Sequence, residues 1–349
     1  MSRYPDSDKP GSLGFIEQSD KPETMLKLCI LCPIHNEEKV VPLFFARMLP
    51  VMEALAERYS VDLVFLNNAS TDATKDAVLR LRERWASVYV ITMSRNVGYQ
   101  RSLDCGLRNS RGDLFAIIDV DCEDPPEMLL DFATLYEQGF DIAYGIRADR
   151  QEVAALKSTR KLFYRILKMV ADEDIILDMA EFSLFTSEVR DSMLVENNSF
   201  PFVRASISRV GFRRIGIPFR RQSRIAGRTH YNFLGMSTFA IAGILSASTL
   251  MLRLPIFILP FWLLSLVLIG LRYAATGSRG YAVAGIILLA AYLGASISFV
   301  ALYVARTYKN GLRRPNSHIH LSNSALQSDD PTWLSERRTT DLSSIPRGQ

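Results

Sequence analysis

The chain has 349 residues, of which 48% are hydrophobic and 22% are charged, and its formal net charge at pH 7 is +4. This length suits one substantial domain with additional segments and excludes a large multidomain assembly. The small net charge and the lack of a basic stripe interleaved with aromatic residues argue against nucleic acid as a partner.

Residues 1–24 are polar and rich in Asp, Ser, Pro and Lys. They lack the apolar core of a secretory signal, so we expect a disordered segment followed by a domain that stays in the cytoplasm. The next run contains Cys29 and Cys32, whose odd separation in a strand points them to opposite faces. Because no second ligand pair follows at the spacing of a zinc site, we interpret them as core thiols in a reducing compartment.

From residue 28 to about residue 121, short β-rich runs alternate with helical stretches, which predicts a doubly wound α/β sheet. The predicted strands are residues 28–33, 61–67, 88–94 and 114–120. The predicted helices are residues 40–58, 73–85 and 100–109. In open sheets of this kind, ligands bind beyond the carboxyl ends of the strands.

Polar clusters follow all four predicted strands. They are residues 33–38 (PIHNEE), 67–72 (NNASTD), 94–98 (SRNVG) and 119–127 (DVDCEDPPE). Helix capping explains any one of them, since Ser70 and Asp72 are typical N-cap residues. Four clusters at successive strand ends instead favour a ligand site.

The last cluster begins with two acids, Asp119 and Asp121, directly after an apolar strand. Side chains at i and i+2 of an extended segment project to the same side, and two adjacent carboxylates repel each other unless a cation or protons neutralise them. Their oxygen atoms suit Mg²⁺ or Mn²⁺, which can bridge a protein to a diphosphate. An exposed acidic turn without a metal is the alternative.

Two basic stretches follow. Residues 156–168 (LKSTRKLFYRILK) interleave Lys and Arg with apolar side chains, as in an amphipathic helix that lies on an anionic leaflet. Six arginines between residues 213 and 228 then lead into a largely apolar segment, residues 233–253, which we expect to run along the membrane interface. Solvated basic surfaces are the alternative for both stretches.

Two apolar runs, residues 254–273 and 281–304, are each about 20 residues or longer, the length that a helix needs to cross a bilayer. Their short connection predicts a hairpin with both ends on one side. The connection contains only Arg279, whereas four basic residues follow the second run: Arg306, Lys309, Arg313 and Arg314. The positive-inside rule therefore places both ends in the cytoplasm and predicts a multi-pass protein of the cell membrane.

A buried pair of core helices is the alternative to this membrane hairpin, residues 254–304. The tail, residues 305–349, is rich in Ser, Pro, Asn and Arg and has little periodicity. We expect it to be cytoplasmic and largely disordered.

Together with residues 224–231 (RIAGRTHY), the four clusters resemble glycosyltransferase family 2. Within that family the chain is similar to the polyprenyl-phosphate sugar transferases, such as dolichyl-phosphate mannose synthase and the bactoprenol glucosyltransferases. The resemblance runs from about residue 28 to residue 231 and continues through the apolar runs. It implies a Rossmann-like domain of the GT-A type with a mostly parallel sheet over residues 25–232, followed by two transmembrane helices.

The resemblance also implies roles for individual residues. The nucleotide of a donor sugar would be lined by Pro33, His35, Glu37, Leu66 and Asn68. The donor diphosphate would be held by Asp119, Val120 and Asp121 through Mg²⁺ or Mn²⁺, with Glu123 as a further ligand and with Arg224 and His230 closing over it. The acceptor phosphate would meet Arg147, Arg160 and Arg228. Glu181 would orient the acceptor or a sugar hydroxyl and would join Asp121 and Arg147 as a catalytic residue, a surface acid being the alternative for Glu181.

The chain departs from the family pattern at several positions. The family usually has Asp-Asp-Gly-Ser where this chain has NNAS at residues 67–70. An Asn brings no charge and adds a donor, which leaves a UDP-linked and a GDP-linked sugar open. His35 replaces a usual Tyr, Glu123 a usual Gln and His230 a usual Lys.

A polyprenyl phosphate is already an anion near neutral pH, so it needs no strong base before it attacks. The resemblance therefore implies direct displacement with inversion at the anomeric carbon, driven by positioning and by neutralising the leaving diphosphate. The expected partners are the nucleotide sugar, the undecaprenyl or dolichyl phosphate and the bacterial inner membrane, with homo-oligomerisation left open. A family 2 enzyme with another lipid or glycan acceptor and a non-catalytic membrane scaffold are the alternatives.

Overall fold

The computed structural model describes residues 25–147, 179–195, 198–199, 201–226, 249–312 and 314–327. Several predictions lie outside these residues. They concern residues 1–24, the basic stretch 156–168 with Arg160, the two site residues Arg228 and His230, and almost all of the interfacial segment 233–253.

Seven strands of the described chain form one sheet in the order β3-β2-β1-β4-β6-β5-β7. Their bounds are β1 Lys27–Ile34, β2 Ser60–Asn67, β3 Val88–Thr92, β4 Leu114–Ile117, β5 Ile142–Arg147, β6 Met179–Thr186 and β7 Arg214–Phe219. Neighbours in the sheet are parallel except that β6 runs antiparallel to both β4 and β5. The predicted mostly parallel, Rossmann-like sheet is therefore confirmed.

Six helices of the described chain lie between these strands. They are α1 Val40–Ala56, α2 Thr74–Leu81, α3 Tyr99–Asn109, α4 Met128–Glu137, α5 Ser187–Leu194 and α6 Val203–Arg209. One apolar core packs between the sheet and α1, α2 and α4, and a second packs on the opposite face under α3, α5 and α6. Cys29 lies in the second core and Cys32 in the first, so the prediction that the two thiols point to opposite faces is confirmed.

Strand β4 is shorter than predicted, because it ends at Ile117 rather than at residue 120. The backbone of Ile118 still donates to Leu31 O at 3.1 Å, after which the chain turns out of the sheet. Cys122 then adopts φ +54°, a left-handed conformation that no strand accommodates. Because of this early turn, Asp119 and Asp121 lie in the loop after β4 and not in the strand.

Two long helices follow, α7 Leu250–Thr276 and α8 Arg279–Gly311. They pack against each other through Trp262 and Tyr292, whose rings stack with centroids 4.4 Å apart. Both are long and apolar enough to cross a membrane, and the side chains of their most apolar windows are not buried in the protein. The alternative of a buried core pair is therefore wrong.

The tail differs from the expected disorder over the part that the structure describes. Helix α8 continues to Gly311, and residues 314–327 run along β3 with antiparallel bridges from Val90 to Ala325 and from Met93 to Ile319. The physical reason is that β3 is an edge strand, whose outer N–H and C=O groups need partners that the returning tail supplies.

Candidate active site

Four loops meet at the carboxyl ends of β1, β2, β3 and β4. Each holds one residue with positive φ: Asn36 (56°), Ala69 (55°), Gly98 (85°) and Cys122 (54°). For a residue other than glycine, the left-handed region costs about 1 kcal/mol or more, and such residues concentrate at functional sites. Backbone geometry therefore marks the same edge of the sheet that the polar clusters mark.

The loops after β1 and β2 are tied to each other. Asn36 N donates to Ser70 Oγ at 3.0 Å, and Thr71 N donates back to Asn36 Oδ1 at 2.8 Å. Asp72 Oδ1 accepts from Thr74 N at 3.1 Å in the first turn of α2. The capping interpretation therefore holds for Asp72, whereas Ser70 joins the two loops.

An amide network links these loops to the one after β3. Asn68 Oδ1 accepts from Val97 N at 2.8 Å, and Asn68 Nδ2 donates to Asn96 Oδ1 at 2.9 Å. Asn96 Oδ1 also accepts from Gly98 N at 3.0 Å, which fixes the amide orientation. Its Nδ2 therefore faces His35 Nε2 at 3.2 Å, and we assign the neutral tautomer in which His35 Nδ1 donates to Asn68 O at 2.9 Å.

We call residues 35–38, 68–73 and 93–98 the amide loops, since the side-chain amides of Asn36, Asn68 and Asn96 join them to one another. Asn67 takes part as well: its Oδ1 accepts from Ser70 N at 3.0 Å. Both ends of the Asn68 amide are engaged by the loop after β3. This use of Asn68 differs from direct reading of a base, because the side chain spans two loops instead of ending in the cleft.

Three further predicted pocket residues, Pro33, Leu66 and Val120, are buried. Leu66 lies under α3, where a Cβ added at Gly106 would fall 2.5 Å from Leu66 Cδ1. Because alternate strand residues point to opposite faces, Leu66 points into the core beneath the site. The side chains of Leu66 and Val120 therefore support the site from below and do not line it.

The turn after β4, residues 119–124, is named the acidic turn. Asp119 Oδ1 accepts from Tyr99 Oη at 2.7 Å, and Asp121 Oδ1 accepts from Glu123 N at 3.0 Å. Burial, with the nearby charges of Asp121 and Asp124, raises the pKa of Asp119 to about 7, although the Tyr99 hydrogen bond opposes this shift.

Residues 220–226, named the arginine loop, lie across the acidic turn. Two backbone bonds fix the loop: Gln222 N to Glu123 O at 2.8 Å and Ile225 N to Asp121 O at 3.0 Å. Arg224 Nη2 lies 2.9 Å from Asp121 Oδ2, and Arg221 pairs with Glu123. The structure thus brings the predicted Arg224 and Asp121 together and leaves Glu123 facing two arginines.

Two predicted residues sit beside the acidic turn on β5 and β6. Arg147 Nη2 lies 3.2 Å from Asp124 Oδ2, and Glu181 Oε1 accepts from Gln100 Nε2 at 2.9 Å. Among the described residues, Arg147 Nε, Asp124 Oδ1 and Glu181 Oε2 are buried without a hydrogen-bond partner. Burial raises the pKa of Glu181, so the alternative of a surface acid is wrong.

The donor set of the acidic turn fits a hard divalent cation. Asp119 and Asp121 offer carboxylate oxygens. Burial is the main reason that the pKa of Asp119 is raised, and the charges of Asp121 and Asp124 add a repulsion that a cation would relieve. No three His, Cys, Asp or Glu residues of the described chain are gathered to hold a metal ion. The predicted third ligand, Glu123, pairs with Arg221 and Arg224 in this structure, and its role as a metal ligand stays a prediction.

Sequence reasoning missed Tyr99 and Gln100, which contact the predicted Asp119 and Glu181. Both follow the residue 94–98 cluster directly, at the start of α3. It also missed Arg47, which forms a bidentate pair with Glu127 and donates to Gln222 of the arginine loop. For Tyr99 and Gln100 the only signal in the sequence was adjacency to a motif. Arg47, inside α1, carried no such signal, because its contacts are made with distant parts of the chain.

Comparison with known proteins identifies the family of the chain. The profile of Glycosyl transferase family 2 matches residues 29–193. An uncharacterized glycosyltransferase, YkcC, of Bacillus subtilis (strain 168) is 32% identical over 230 residues, which are 66% of this chain and 71% of that protein. A prophage bactoprenol glucosyl transferase homolog of Escherichia coli (strain K12) is 28% identical over 304 residues, which cover 83% of this chain and 97% of that protein.

Two solved structures are similar at lower identity. Glucosyl-3-phosphoglycerate synthase from Mycobacterium tuberculosis, in complex with Mn²⁺, UDP-glucose and phosphoglyceric acid, has a TM-score of 0.45 at 16% identity over 63% of this chain and 79% of that one. Mannosyltransferase PcManGT from Pyrobaculum calidifontis, in complex with GDP-Man and Mn²⁺, has a TM-score of 0.41 at 19% identity over 83% of this chain and 88% of that one. The relatives in sequence and the sheet lead to one conclusion: this chain belongs to glycosyltransferase family 2.

Proposed function

We propose that this glycosyltransferase moves a sugar from a nucleotide-linked donor to a polyprenyl phosphate at the cytoplasmic face of a membrane. The observation that carries the proposal is the buried acidic turn, which lies at the strand ends under the arginine loop. Carboxylates that bind a cation and guanidinium groups that bind phosphate oxygens suit a diphosphate. Similarity to a bactoprenol glucosyl transferase homolog supports the lipid acceptor.

The donor occupies the cleft between the amide loops and the acidic turn. The nucleoside lies against His35 and Glu37, and the diphosphate lies toward Asp119 and Asp121. Uridine and guanosine nucleotides both remain candidates, because the Asn68 amide is engaged by Asn96 and Val97.

Asp119 and Asp121 are the residues that would hold Mg²⁺ or Mn²⁺, which when bound neutralises charge on the leaving diphosphate. Arg221 and Arg224 add positive charge from the arginine loop. Because these groups are fixed by backbone bonds before any ligand binds, little reorganisation is needed at the moment of transfer.

The acceptor phosphate approaches from the side of Arg147 and Glu181. Arg147 places a buried guanidinium beside Asp124, and it would pair with the phosphate anion, together with Arg160 and Arg228. Glu181 orients the acceptor or a sugar hydroxyl through its buried Oε2. The phosphate oxygen attacks the anomeric carbon as the nucleotide diphosphate leaves, and the configuration at that carbon inverts.

The two long helices supply the membrane anchor in this proposal. Helices α7 and α8 form a hairpin whose apolar side chains are exposed. Exposed apolar surface of this length is stable in a bilayer and unfavourable in water. A polyprenyl chain would lie beside these helices, with its phosphate at the level of the catalytic domain.

A transfer assay tests the proposal. Membranes that carry the protein are given labelled UDP- and GDP-sugars, with undecaprenyl or dolichyl phosphate and with Mg²⁺ or Mn²⁺. We expect a lipid-linked sugar whose formation falls about hundredfold or more in Asp121→Asn. Asp76→Asn, the same change at an exposed acid of α2, serves as the matched control and should leave transfer unchanged.

Two outcomes would contradict the proposal in different ways. Transfer from a donor to a glycan or to another lipid, with none to either polyprenyl phosphate, would favour the alternative acceptor class. No transfer from any donor, with no nucleotide binding, would favour a membrane scaffold that retains the fold.

A further inference from the structure

We propose that residues 314–327, which we name the strap, position the amide loops and couple them to the end of α8. The proposal rests on the proposed function, since it assigns the strap to the donor half of that site. It concerns a segment that carries none of the family motifs and was expected to be disordered.

The strap pairs with the outer edge of β3. Val90 N donates to Ala325 O and Ala325 N donates to Val90 O, each at 2.8 Å. Farther along, His320 N donates to Thr92 O at 2.8 Å. Ile319, Ala325 and Leu326 also pack against the two cores, so apolar burial adds to the backbone pairing.

The contacts concentrate where β3 passes into the third amide loop. Thr92 Oγ1 donates to Asn323 O at 2.6 Å, and Thr92 N donates to Ser324 Oγ at 2.9 Å. Ser94 N donates to His318 O at 2.8 Å. Two residues later stands Asn96, the amide that joins His35 to Asn68.

The strap is also joined to the elements on either side of the second amide loop, α2 directly and β2 through Thr92. Asn323 Oδ1 accepts from Lys75 Nζ at 3.1 Å, in the first turn of α2. Thr92 Oγ1, which donates to the strap, lies 3.4 Å from Asn67 Nδ2. Asn323, the last residue of a short turn of the tail (Leu321–Asn323), is therefore joined to elements on both sides of the proposed nucleotide cleft.

The beginning of the strap is joined to the end of α8. Asn310 Oδ1 accepts from Ser199 N at 3.0 Å, and six residues later Asn316 Nδ2 donates to Asn198 O at 2.9 Å and to Asp104 Oδ2 at 3.3 Å. Helix α8, the second helix of the candidate membrane hairpin, is thus connected to the amide loops by about a dozen residues.

Protection of an exposed edge would be the simplest role for a strand that covers β3. Edge protection requires only backbone pairing, as at Val90. It does not require the side-chain bonds that converge on Thr92 and Lys75. Ordering a segment of this length costs conformational entropy, and these side-chain bonds fix the loops that must be ordered before a nucleotide binds.

The test replaces strap residues whose N–H groups pair with β3. The double variant His320→Pro and Ala325→Pro removes both strap N–H donors to Thr92 O and Val90 O. Leu321→Pro is the matched control: Leu321 is the first residue of the short turn, and its N–H donates to no backbone acceptor of the described chain. The preceding His320 is extended, which proline tolerates. Ser324→Ala is a milder variant that removes the acceptor of Thr92 N and, within the strap, the hydroxyl donor to His320 O.

Three quantities are measured on the full-length protein: amide exchange at Val90, Thr92 and Ser94, the Kd for UDP and for GDP, and the kinetics of sugar transfer. In the double variant we expect exchange at these amides to accelerate at least tenfold, and the Kd of the bound nucleotide and the donor KM to rise about tenfold, with kcat within about twofold. Ser324→Ala should show a smaller rise of the same kind, and Leu321→Pro should match the wild type.

Faster amide exchange in the double variant, with an unchanged Kd for nucleotide and an unchanged donor KM, would overturn the proposal. The strap would then only protect the edge of β3. A fall in kcat alone would overturn it as well, because the strap would then act on the chemical step. Wild-type protein that binds a nucleotide but transfers no sugar would refute the proposed function, while the Kd values of the variants would still decide the role of the strap.

Discussion

The amide loops are joined chiefly through the side-chain amides of Asn36, Asn68 and Asn96, whereas the acidic turn beside them gathers several carboxylates against buried arginine groups. Two half-buried carboxylates of the loops, Glu38 and Asp72, accept backbone N–H groups. In the loops, Asn68, Asn96 and His35 satisfy one another without any ligand. Around the turn, Asp124 and Glu181 each keep a buried oxygen without a hydrogen-bond partner among the described residues. Burying an unpaired charge costs free energy. We therefore expect a ligand to bind at the acidic turn and at Arg147 and Glu181 beside it, which together we call the charged half of the site.

This difference predicts different consequences of substitution in the two halves. Changes in the charged half should lower the rate of transfer, because charge develops there as the donor bond breaks. Changes in the amide loops should weaken donor binding, because those contacts are already complete before the reaction begins.

After Asp121→Asn, the largest effect is expected for Glu181→Gln, beside the acidic turn. The substitution keeps the size of the side chain and removes the charge, and we expect kcat to fall about hundredfold with donor Kd unchanged. Kinetics and nucleotide titration measure the two quantities separately. Glu188→Gln, in the first turn of α5, is the control, and an equal loss there would remove the special role of Glu181.

A smaller effect, several-fold near neutral pH, is expected for Gln100→Met. Burial raises the pKa of Glu181, and the Gln100 hydrogen bond opposes that rise. Loss of the donor should raise the pKa of Glu181 further. If the ionised carboxylate is the active form, the acid limb of the kcat profile moves to higher pH. An unmoved limb with a lower kcat would mean that Gln100 supports only the packing of α3, through its contact with Val203 N.

In the amide loops, Asn68→Asp should raise the donor KM about tenfold with little change in kcat. The carboxylate still accepts from Val97 N, but it cannot donate to Asn96 Oδ1, and two oxygens are left facing each other. Asn109→Asp, the same change at the end of α3, is the control. A donor KM that stays within twofold of wild type would show that the network is dispensable.

The smallest effect is expected at Ala69, where φ is +55°. Glycine relieves the left-handed strain but adds freedom to the unfolded chain, so Ala69→Gly should change the free energy of unfolding by less than about 1 kcal/mol. The branched side chain of Ala69→Val should destabilise the protein by more than about 1 kcal/mol. Thermal unfolding of the two variants compares them, and equal Tm values would contradict the strain.

The strands β1 to β4 and the ligand site at their ends could be predicted from the sequence, because each strand carries a local signal: an apolar run followed by a polar cluster. Asp119 and Asp121 were predicted for the same reason, whereas Arg147 was predicted only from the resemblance to the family. The pairing of Arg224 with Asp121, 103 residues apart, was not readable, since no local pattern encodes it.

The order of the strap likewise could not be predicted from its own sequence. Its composition predicted disorder, and composition reports only whether a segment folds alone. Residues 314–327 are ordered because β3 offers an unpaired edge, which is a property of the sheet and not of the tail. Likewise, Asn68 was predicted as a pocket residue, but its ties to Asn96 and Val97 depend on a loop 28 residues away.

The central claim is that the acidic turn takes a cation together with a nucleotide diphosphate. Titration of UDP and GDP by calorimetry, with Mn²⁺ and then with a chelator, tests it directly in the wild type and in Asp121→Asn. We predict that Mn²⁺ tightens the Kd of one nucleotide at least about tenfold in the wild type and has no effect in Asp121→Asn. Equal Kd values with and without Mn²⁺ in the wild type would contradict the account.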